Sequence, residues 1–287
     1  MGNRVNQNVS AGVRTAFNLD QQVVVITGGA GLLGIRHAQV VAELGGTPVI
    51  VDLDQERVTS AAEEIVKVYG GQAVGLACDI THPESVENLK NQILEKLQRV
   101  NVLINNAANN PKVAGSGLQG GHWSRLENFP LSAWQSDLDV GLTGAFLCSR
   151  VFGQEMAREG RGVILNIASD LGLIAPDQRI YRQEGLSEEM QPVKPVTYSV
   201  VKAGLIGLTR YLATYWAKDG VRVNALAPGG VEVDQDPAFI KRLTHLIPMG
   251  RMASKDEYKG VVAFMISDAS SYMTGAVLSV DGGRTAW

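Results

Sequence analysis

A tyrosine and a lysine in the segment YSVVK have the spacing of an acid/base pair. Tyr198 and Lys202 are four residues apart, so they share one face if the segment is helical. A free tyrosine has a pKa of about 10, too high for a base at neutral pH, and positive neighbours lower it. Lys202 is one such neighbour and an oxidised nicotinamide would be the other. The pair is therefore typical of proton transfer coupled to hydride transfer, with Tyr198 as the acid/base.

A glycine-rich segment near the start of the chain, TGGAGLLG, predicts a nucleotide-phosphate site. Gly28, Gly31 and Gly34 are spaced three apart after an apolar run, which permits a tight turn. A pyrophosphate can then approach the start of the next helix, beside Leu33, where free N–H groups favour an anion. A glycine turn that only packs a helix against a strand is the alternative.

Acidic residues at the ends of the next two strand candidates favour a dinucleotide, and NAD over NADP. Asp52, followed by Leu53, ends the run VIVD. A carboxylate there accepts hydrogen bonds from the ribose hydroxyls and repels a 2′-phosphate. Asp79, followed by Ile80, ends the third strand candidate and would reach the adenine amino group. The alternative for Asp52 is a cap on the helix that begins near Asp54.

Short β-rich runs alternate with helical segments from residue 22 onward. This alternation of strands and helices predicts an α/β fold with a single Rossmann-type, doubly wound parallel sheet of about seven strands. We expect one catalytic domain over residues 21–287 after a polar leader, residues 1–20. The expected strands are 23–27, 48–52, 73–79, 102–105, 163–169, 222–227 and 276–280. The expected helices include 55–69, 82–97, 131–158, 196–218 and a short one in DPAFIKRLTHL, within a lid over the substrate.

Composition argues against several classes of function. The 287 residues carry a net charge of −3, so no basic field attracts nucleic acid. No apolar run reaches the roughly 18 residues of a membrane span. Cys78 and Cys148 lack metal-ligand spacing, which predicts no metal site and a cytoplasmic protein. The histidines His37, His82 and His245 are interpreted as surface or capping residues.

Seven motifs, in order, resemble those of the short-chain dehydrogenase/reductase family over residues 20 to 287. They are TGGAGLLG, Asp52, CDI, NNAA, NIAS, YSVVK and NALAPGGV. The resemblance implies a triad of Ser169, Tyr198 and Lys202, in which Ser169 orients the substrate oxygen and Lys202 binds the nicotinamide ribose. A strand-end hydroxyl that bonds the local backbone is the alternative for Ser169. The further residues implied to line the cofactor cleft are Asn105, Ala107, Pro228, Gly229 and Val231.

Three features depart from that family. Gly141 stands where the family has an asparagine that supports a helix distortion and a proton relay, so we expect a triad and a tolerated Gly141→Asn substitution. Leu32 gives the glycine turn a spacing that resembles the extended branch of the superfamily. An insertion separates Ser169 from Tyr198, which are 29 residues apart. Polar residues of the longer loops are expected to bind the substrate, with solvated loops as the alternative. They are Asn109, Lys112, Gln178 and Arg179.

The leading prediction is an NAD-dependent alcohol/ketone oxidoreductase that acts on a sugar or sugar derivative. The segments APDQRIY, PGGV and VDGGRTAW also resemble oxidoreductases of bacterial surface-glycan and flagellin-sugar pathways. A 3-oxoacyl-thioester reductase is the second reading, which Asp52 disfavours because such reductases use NADPH. A dinucleotide-binding regulatory protein with weak turnover is the third, suggested by Gly141. The family resemblance implies a homodimer or homotetramer built through helices 131–158 and 196–218, with a small-molecule substrate and no nucleic-acid or membrane partner.

Overall fold

A computed structural model describes residues 12–109 and 122–287 of the chain. Seven strands in these ranges form one parallel sheet in the order β3-β2-β1-β4-β5-β6-β7, which confirms the predicted doubly wound α/β fold. The strands are β1 Val23–Thr27, β2 Thr47–Asp52, β3 Val74–Ala77, β4 Val102–Asn105, β5 Gly162–Ile167, β6 Val221–Pro228 and β7 Val277–Val280.

Helices cover both faces of this sheet. Because successive side chains of a strand point to opposite faces, Val23 and Val25 of β1 join one apolar cluster and Val24 and Ile26 join the other. All five residues of β1 are buried, as expected for a strand covered on both sides. The α-helices of the described ranges are α1 Val13–Ala16, α2 Gly34–Glu43, α3 Gln55–Tyr69, α4 Pro83–Leu97, α5 Leu131–Leu138, α6 Gly144–Glu159, α7 Val196–Tyr215, α8 Pro237–Thr244 and α9 Lys259–Ile266.

The predicted helix over residues 131–158 is interrupted. A π-helical segment, Asp139–Thr143, joins α5 to α6 and contains Gly141. The helix distortion is therefore present although the asparagine that accompanies it in the family is not. The predicted strand over residues 163–169 ends earlier, at Ile167, because Ser169 begins a 3-10 turn over Asp170–Gly172.

The insertion before α7 is folded into short turns that pack against α8. Two further 3-10 turns, Gln178–Tyr181 and Glu188–Met190, lie within it. Ile180 is buried in a small apolar cluster with residues of α8 and the segment after it. The ring of Tyr181 lies 5.4 Å from that of Phe239, centroid to centroid. The insertion and the predicted lid therefore share one core.

Two further expectations concern the start of the predicted domain near residue 20 and the predicted substrate residue Lys112. Leu19 is buried, and its N–H donates to the carbonyl of Leu44 at 2.9 Å, so the packed part of the chain includes residues just before position 20. Lys112, a predicted substrate residue, lies outside the described residues. None of the described helices is long and apolar enough to span a membrane.

Candidate active site

The turn after β1 is built for close backbone approach. Gly28 has a φ of 60°, and a Cβ there would lie 2.9 Å from the Cα of Ala107. A Cβ on Gly34 would collide with the carbonyl oxygen of Gly28. The side-chain amide of Asn106 donates to the carbonyls of Thr27 and Gly28, at 3.0 Å each. The end of β4 therefore braces the glycine turn, as a phosphate cradle at a helix start requires.

Asp52 lies over this turn and does not cap the next helix. Its two carboxylate oxygens accept from the N–H groups of Leu53 at 2.9 Å and Ala30 at 3.3 Å. The cap of α3 is instead Asp54, whose side chain accepts from the N–H groups two and three residues later. The capping alternative for Asp52 is therefore wrong, and its carboxylate stands at the turn where a ribose would bind.

The ends of the neighbouring strands hold the other residues predicted to contact a dinucleotide. Asp79 follows the end of β3, and its carboxylate accepts from the N–H and hydroxyl of Thr81 at 2.9 and 2.7 Å. These bonds lower the pKa of the Asp79 carboxyl. A Cβ on Gly229 would lie 2.9 Å from the Cα of Asp281, so the chain runs close to its neighbour after β6. The predicted cofactor residues Leu33, Ile80, Pro228 and Val231 all lie at this carboxyl edge or directly after it.

Asn105 has a different environment from the one expected. Its side-chain amide is buried and donates to Ser149 at 3.0 Å and Asn166 at 2.8 Å, and Asn166 donates in turn to Thr209. The donors of Asn105 are therefore used to tie β4, β5, α6 and α7 together beneath the cleft. Its contact with the cofactor stays a prediction, whereas its support of the strand ends is visible.

The three predicted catalytic residues meet at the end of β5. The hydroxyl of Ser169 acts on Tyr198, whose pKa it lowers, and donates its proton to Asp170 Oδ1 at 2.7 Å. Lys202 is buried one turn further along α7, and its Nζ donates to the carbonyl of Ile167 at 2.7 Å. Ser169 also accepts from the N–H of Leu171 at 3.2 Å. Ser169 thus satisfies the local backbone, as the alternative held, and contacts Tyr198 as well.

Burial sets the protonation of this cluster. It raises the pKa of Tyr198, an effect that the side chain of Ser169 opposes. It lowers the pKa of Lys202 to about 8, helped by the nearby charge of Lys194. The expected lowering of the tyrosine pKa counted the positive charge of a bound nicotinamide as well as that of Lys202.

Asp170 and Arg284 form a buried ion pair behind the serine. Asp170 Oδ2 and Arg284 Nη1 are 2.7 Å apart, and the two side chains are 4% and 7% exposed. The same carboxylate accepts the proton of the Ser169 hydroxyl. Arg284 therefore fixes, through Asp170, the orientation of the Ser169 hydroxyl.

A pocket lies on the other side of Tyr198, next to the π-helical segment. The residues that border it include Asn109, Asp137, Gly141, Lys194, Tyr198 and Lys202. A Cβ on Gly141 would lie 2.5 Å from Cγ1 of Val201, so the valine occupies the space that a larger residue would need. The expected tolerance of Gly141→Asn therefore requires Val201 to move.

The predicted substrate residues fall into different environments. Asn109 is exposed and borders the pocket, where its amide approaches Ser136. Gln178 accepts the backbone N–H of Lys194 at 2.8 Å and so holds the insertion in place. Arg179 forms a surface ion pair with Asp177. Their contact with a substrate stays a prediction.

One of the three histidine interpretations is wrong. His37 in α2 is 1% exposed, and burial lowers its pKa to about 4. The hydrophobic period of α2 turns this residue toward the sheet, which outweighs its polarity. His82 and His245 are exposed next to the start of α4 and the end of α8, as expected. Within residues 12–109 and 122–287, no three His, Cys, Asp or Glu side chains group as metal ligands.

Four residues of the site were not found by sequence reasoning. Asp170 directly follows Ser169, so the adjacency was visible, but its partner Arg284 is 114 positions away. Asn106 was included in the motif NNAA without a role of its own. Lys194 lies in the insertion, in the segment PVKPVTY. Nothing in that segment alone indicates that its side chain reaches the tyrosine.

Comparison with known proteins gives matches over nearly the whole chain. The family model described as short chain dehydrogenase matches residues 22–181, and one described as Enoyl-(Acyl carrier protein) reductase matches residues 185–285. The 3-oxoacyl-[acyl-carrier-protein] reductase FabG of Aquifex aeolicus is 32% identical, over 93% of this chain and 98% of that protein. D-threitol dehydrogenase of Mycolicibacterium smegmatis is 31% identical, over 94% of this chain and 95% of that protein.

Solved structures with the same architecture extend these matches. A crystal structure of a gluconate 5-dehydrogenase from Burkholderia cenocepacia, in complex with NADP and tartrate, superimposes with a TM-score of 0.81. It is 26% identical to this chain and covers 96% of it, and the chain covers 100% of that structure. The fold described above therefore agrees with that of a dehydrogenase crystallised with NADP.

Proposed function

The chain belongs to the short-chain dehydrogenase/reductase family, and from that premise we propose that it transfers a hydride between NAD and a secondary alcohol or ketone of a polyol or sugar derivative. Its relatives are NAD(P)-dependent oxidoreductases that act on CH–OH groups. The observation that carries the proposal is the contact of Tyr198 with Ser169 beside buried Lys202, at the strand edge that also holds the glycine turn. Residues 21–287 act as one catalytic domain in this proposal.

The chain's own residues manage the proton and the substrate oxygen. Ser169 bonds the substrate oxygen and holds it next to Tyr198. Tyr198 accepts the hydroxyl proton as the alcohol is oxidised, and returns it to the developing alkoxide in the reverse direction. Lys202 holds the ribose of the cofactor and favours the phenolate form of Tyr198. The nicotinamide, when bound, supplies the hydride acceptor or donor.

The position of Asp52 supports NAD as the preferred cofactor. Its carboxylate stands over the glycine turn, held by the N–H of Ala30, where it favours two ribose hydroxyls and repels a phosphate. Binding is tested by titration with NADH and separately with NADPH, following energy transfer from the protein's 4 tryptophans to the nicotinamide. Tighter binding of NADH is expected. A preference for NADPH would contradict this part of the proposal.

Polyols and sugars fit the polar character of the site's surroundings. Amide and charged side chains, including Asn109 and Lys194, border the pocket beside Tyr198, and the relative named D-threitol dehydrogenase acts on a polyol. The proposal is tested by screening polyols, sugar acids and nucleotide sugars with NAD. The nucleotide sugars test the resemblance to surface-glycan enzymes. Tyr198→Phe must abolish hydride transfer while NADH binding persists.

Reduction of a 3-oxoacyl thioester is the second candidate. A relative that is 32% identical bears that activity in its name. Asp52 opposes it, because such reductases use NADPH. Acetoacetyl thioester with NADPH, assayed beside polyols with NAD, separates the two candidates. A third candidate is a dinucleotide-binding regulatory protein with weak turnover. In that case Tyr198→Phe should change no measurable property.

A homodimer or homotetramer is proposed through α6 and α7. The outward face of α7 exposes Tyr211 and Tyr215 at 63% and 61%, with their rings stacked 5.8 Å apart, and α6 exposes Phe146. Exposed aromatic clusters of this kind are typical of protein interfaces. Light scattering of the native protein and of Tyr211→Glu tests this. We propose a cytoplasmic location, since Cys78 and Cys148 are free thiols.

A further inference from the structure

We propose that Lys194, supplied by the insertion before α7, is a second lysine that positions positive charge against the acid/base residue Tyr198. Its Nζ lies 3.8 Å from the centroid of the Tyr198 ring, whereas Nζ of Lys202 lies 5.8 Å from it. The tyrosine is therefore approached by two ammonium groups, one from its own helix and one from the inserted segment. This inference rests on the proposed function of Tyr198.

The insertion holds Lys194 in place through its main chain. The N–H of Lys194 donates to Gln178 Oε1 at 2.8 Å, and the N–H of the preceding residue, Val193, donates to Ser124 Oγ at 3.0 Å. Pro195 follows and precedes α7 directly. The main chain around Lys194 is therefore fixed on both sides, which limits the region that its side chain can reach.

The shape of the pocket gives the Lys194 side chain its space. Gly141 of the π-helical segment lacks a side chain and Val201 of α7 presents only methyl groups, so neither contributes a polar group to the pocket. Lys194 borders the same pocket as Asp137 and Lys202. The charged group next to Tyr198 therefore comes from the insertion. The family instead has an asparagine on the helix, at the position of Gly141.

The charges around Tyr198 keep Lys194 protonated near neutral pH. Burial lowers the pKa of Lys194 to about 8, while the carboxylates of Asp170 and Asp137 raise it. The groups that face the tyrosine are Lys194, Lys202, Asp170, Asp137, Arg284 and Tyr181. Arg284 pairs with Asp170 and so offsets the carboxylate that would otherwise disfavour a phenolate.

An ammonium over the ring favours the ionised tyrosine more than the neutral one. A neutral phenol attracts a cation only through the quadrupole of its ring, whereas a phenolate attracts it as a full opposite charge. An opposite charge within about 4–6 Å shifts a pKa by roughly 1–3 units. Lys194 is a positioning residue in this scheme, since it acts through Tyr198 and not on the substrate.

The test measures the ionisation of Tyr198 directly as well as the activity. Tyrosinate ultraviolet absorbance is followed against pH with saturating NAD, in the native protein and in Lys194→Met, each compared with the same protein carrying Tyr198→Phe. The difference isolates Tyr198 from the other 6 tyrosines, since the chain holds 7. Lys194→Arg keeps the charge, and Lys218→Met removes an exposed lysine elsewhere as the matched control.

We expect Lys194→Met to raise the apparent pKa of Tyr198 by about one unit, and to move the acid limb of the alcohol-oxidation pH profile by the same amount. Lys194→Arg should restore both, and Lys218→Met should change neither. An unchanged tyrosine ionisation in Lys194→Met, or a raised KM with an unmoved pH profile, overturns the inference. Retained hydride transfer in Tyr198→Phe would instead overturn the proposed function.

Discussion

The proposed cofactor side and the proposed substrate side of the site are held together by different kinds of contact. The cofactor side is made of strand ends and one glycine turn, and each of its hydrogen bonds has at least one main-chain partner near the ends of β1, β2 and β4. The substrate side is made of the insertion, α8 and the C-terminal turn, held by ion pairs and a small separate core. The cofactor side is therefore fixed by the hydrogen-bonded sheet, whereas the substrate side depends on a few buried charged groups.

The largest effect is expected from breaking the ion pair on the substrate side. Arg284→Met leaves the Asp170 carboxylate buried without its partner, and removal of one member of a buried pair typically costs about 3–5 kcal/mol. The thermal midpoint and kcat should both fall. Arg161→Met, which removes an exposed ion pair with Asp268, is the control and should not move the midpoint measurably.

A second variant separates the effect on activity from a general loss of stability. Asp170→Asn with Arg284→Met removes both charges, so it should recover stability while Ser169 keeps a less favourable hydrogen-bond partner. Recovered stability with lowered kcat and unchanged NADH affinity would show that the pair serves the substrate side only. Loss of NADH binding in the double variant would contradict the separation of the two sides.

On the cofactor side, the next effect is a dependence of stability on pH. His37 is buried, and its pKa is lowered from 6.5 to about 4. The unfolded chain binds the proton that the folded chain excludes, so the stabilising contribution is complete above pH 6.5 and is lost as the pH falls toward 4. The full shift corresponds to about 3 kcal/mol.

This pH dependence is checked by urea unfolding of the native protein and His37→Met at pH 7 and pH 5. We expect the native protein to lose more stability than the variant between the two pH values. His245→Gln, which changes an exposed histidine, should behave as the native protein does. Equal losses in the native protein and His37→Met would assign the acid sensitivity to other groups.

A smaller effect is expected where the π-helical segment meets α7. Gly141→Asn places a Cβ within 2.5 Å of Val201, and overpacking of this kind costs about 1–3 kcal/mol. Gly141→Asn with Val201→Ala should recover the thermal midpoint, because the methyl groups in conflict are removed. If the single variant is as stable as the native protein, the valine moves freely and the pocket is less fixed than its contacts indicate.

Much of the cofactor side was predictable because its determinants are local. The glycine spacing, Asp52 and the apolar strands follow from the sequence near each element, and β1, β4 and α3 have the predicted bounds. The substrate side was not predictable in the same way. Arg284 contacts Asp170 only through the tertiary fold, because the two residues are 114 positions apart. His37 is buried because of the face on which it falls in α2. The break in helix 131–158 depends on packing against α7, which no local pattern shows.

The last prediction separates cofactor choice from the rest of the cofactor side. Asp52→Ser removes the carboxylate that repels a 2′-phosphate, and Arg57 lies at the same turn, where it donates to the carbonyl of Ala30 at 3.2 Å. We expect the ratio of NADP to NAD use, measured as kcat/KM, to rise about tenfold, which is about 1.4 kcal/mol. Asp52→Ser with Arg57→Met should lose this gain, because the cation that would bind the phosphate is gone. A ratio that does not change in Asp52→Ser would show that the carboxylate does not face the ribose, and the glycine turn alone would then define the site.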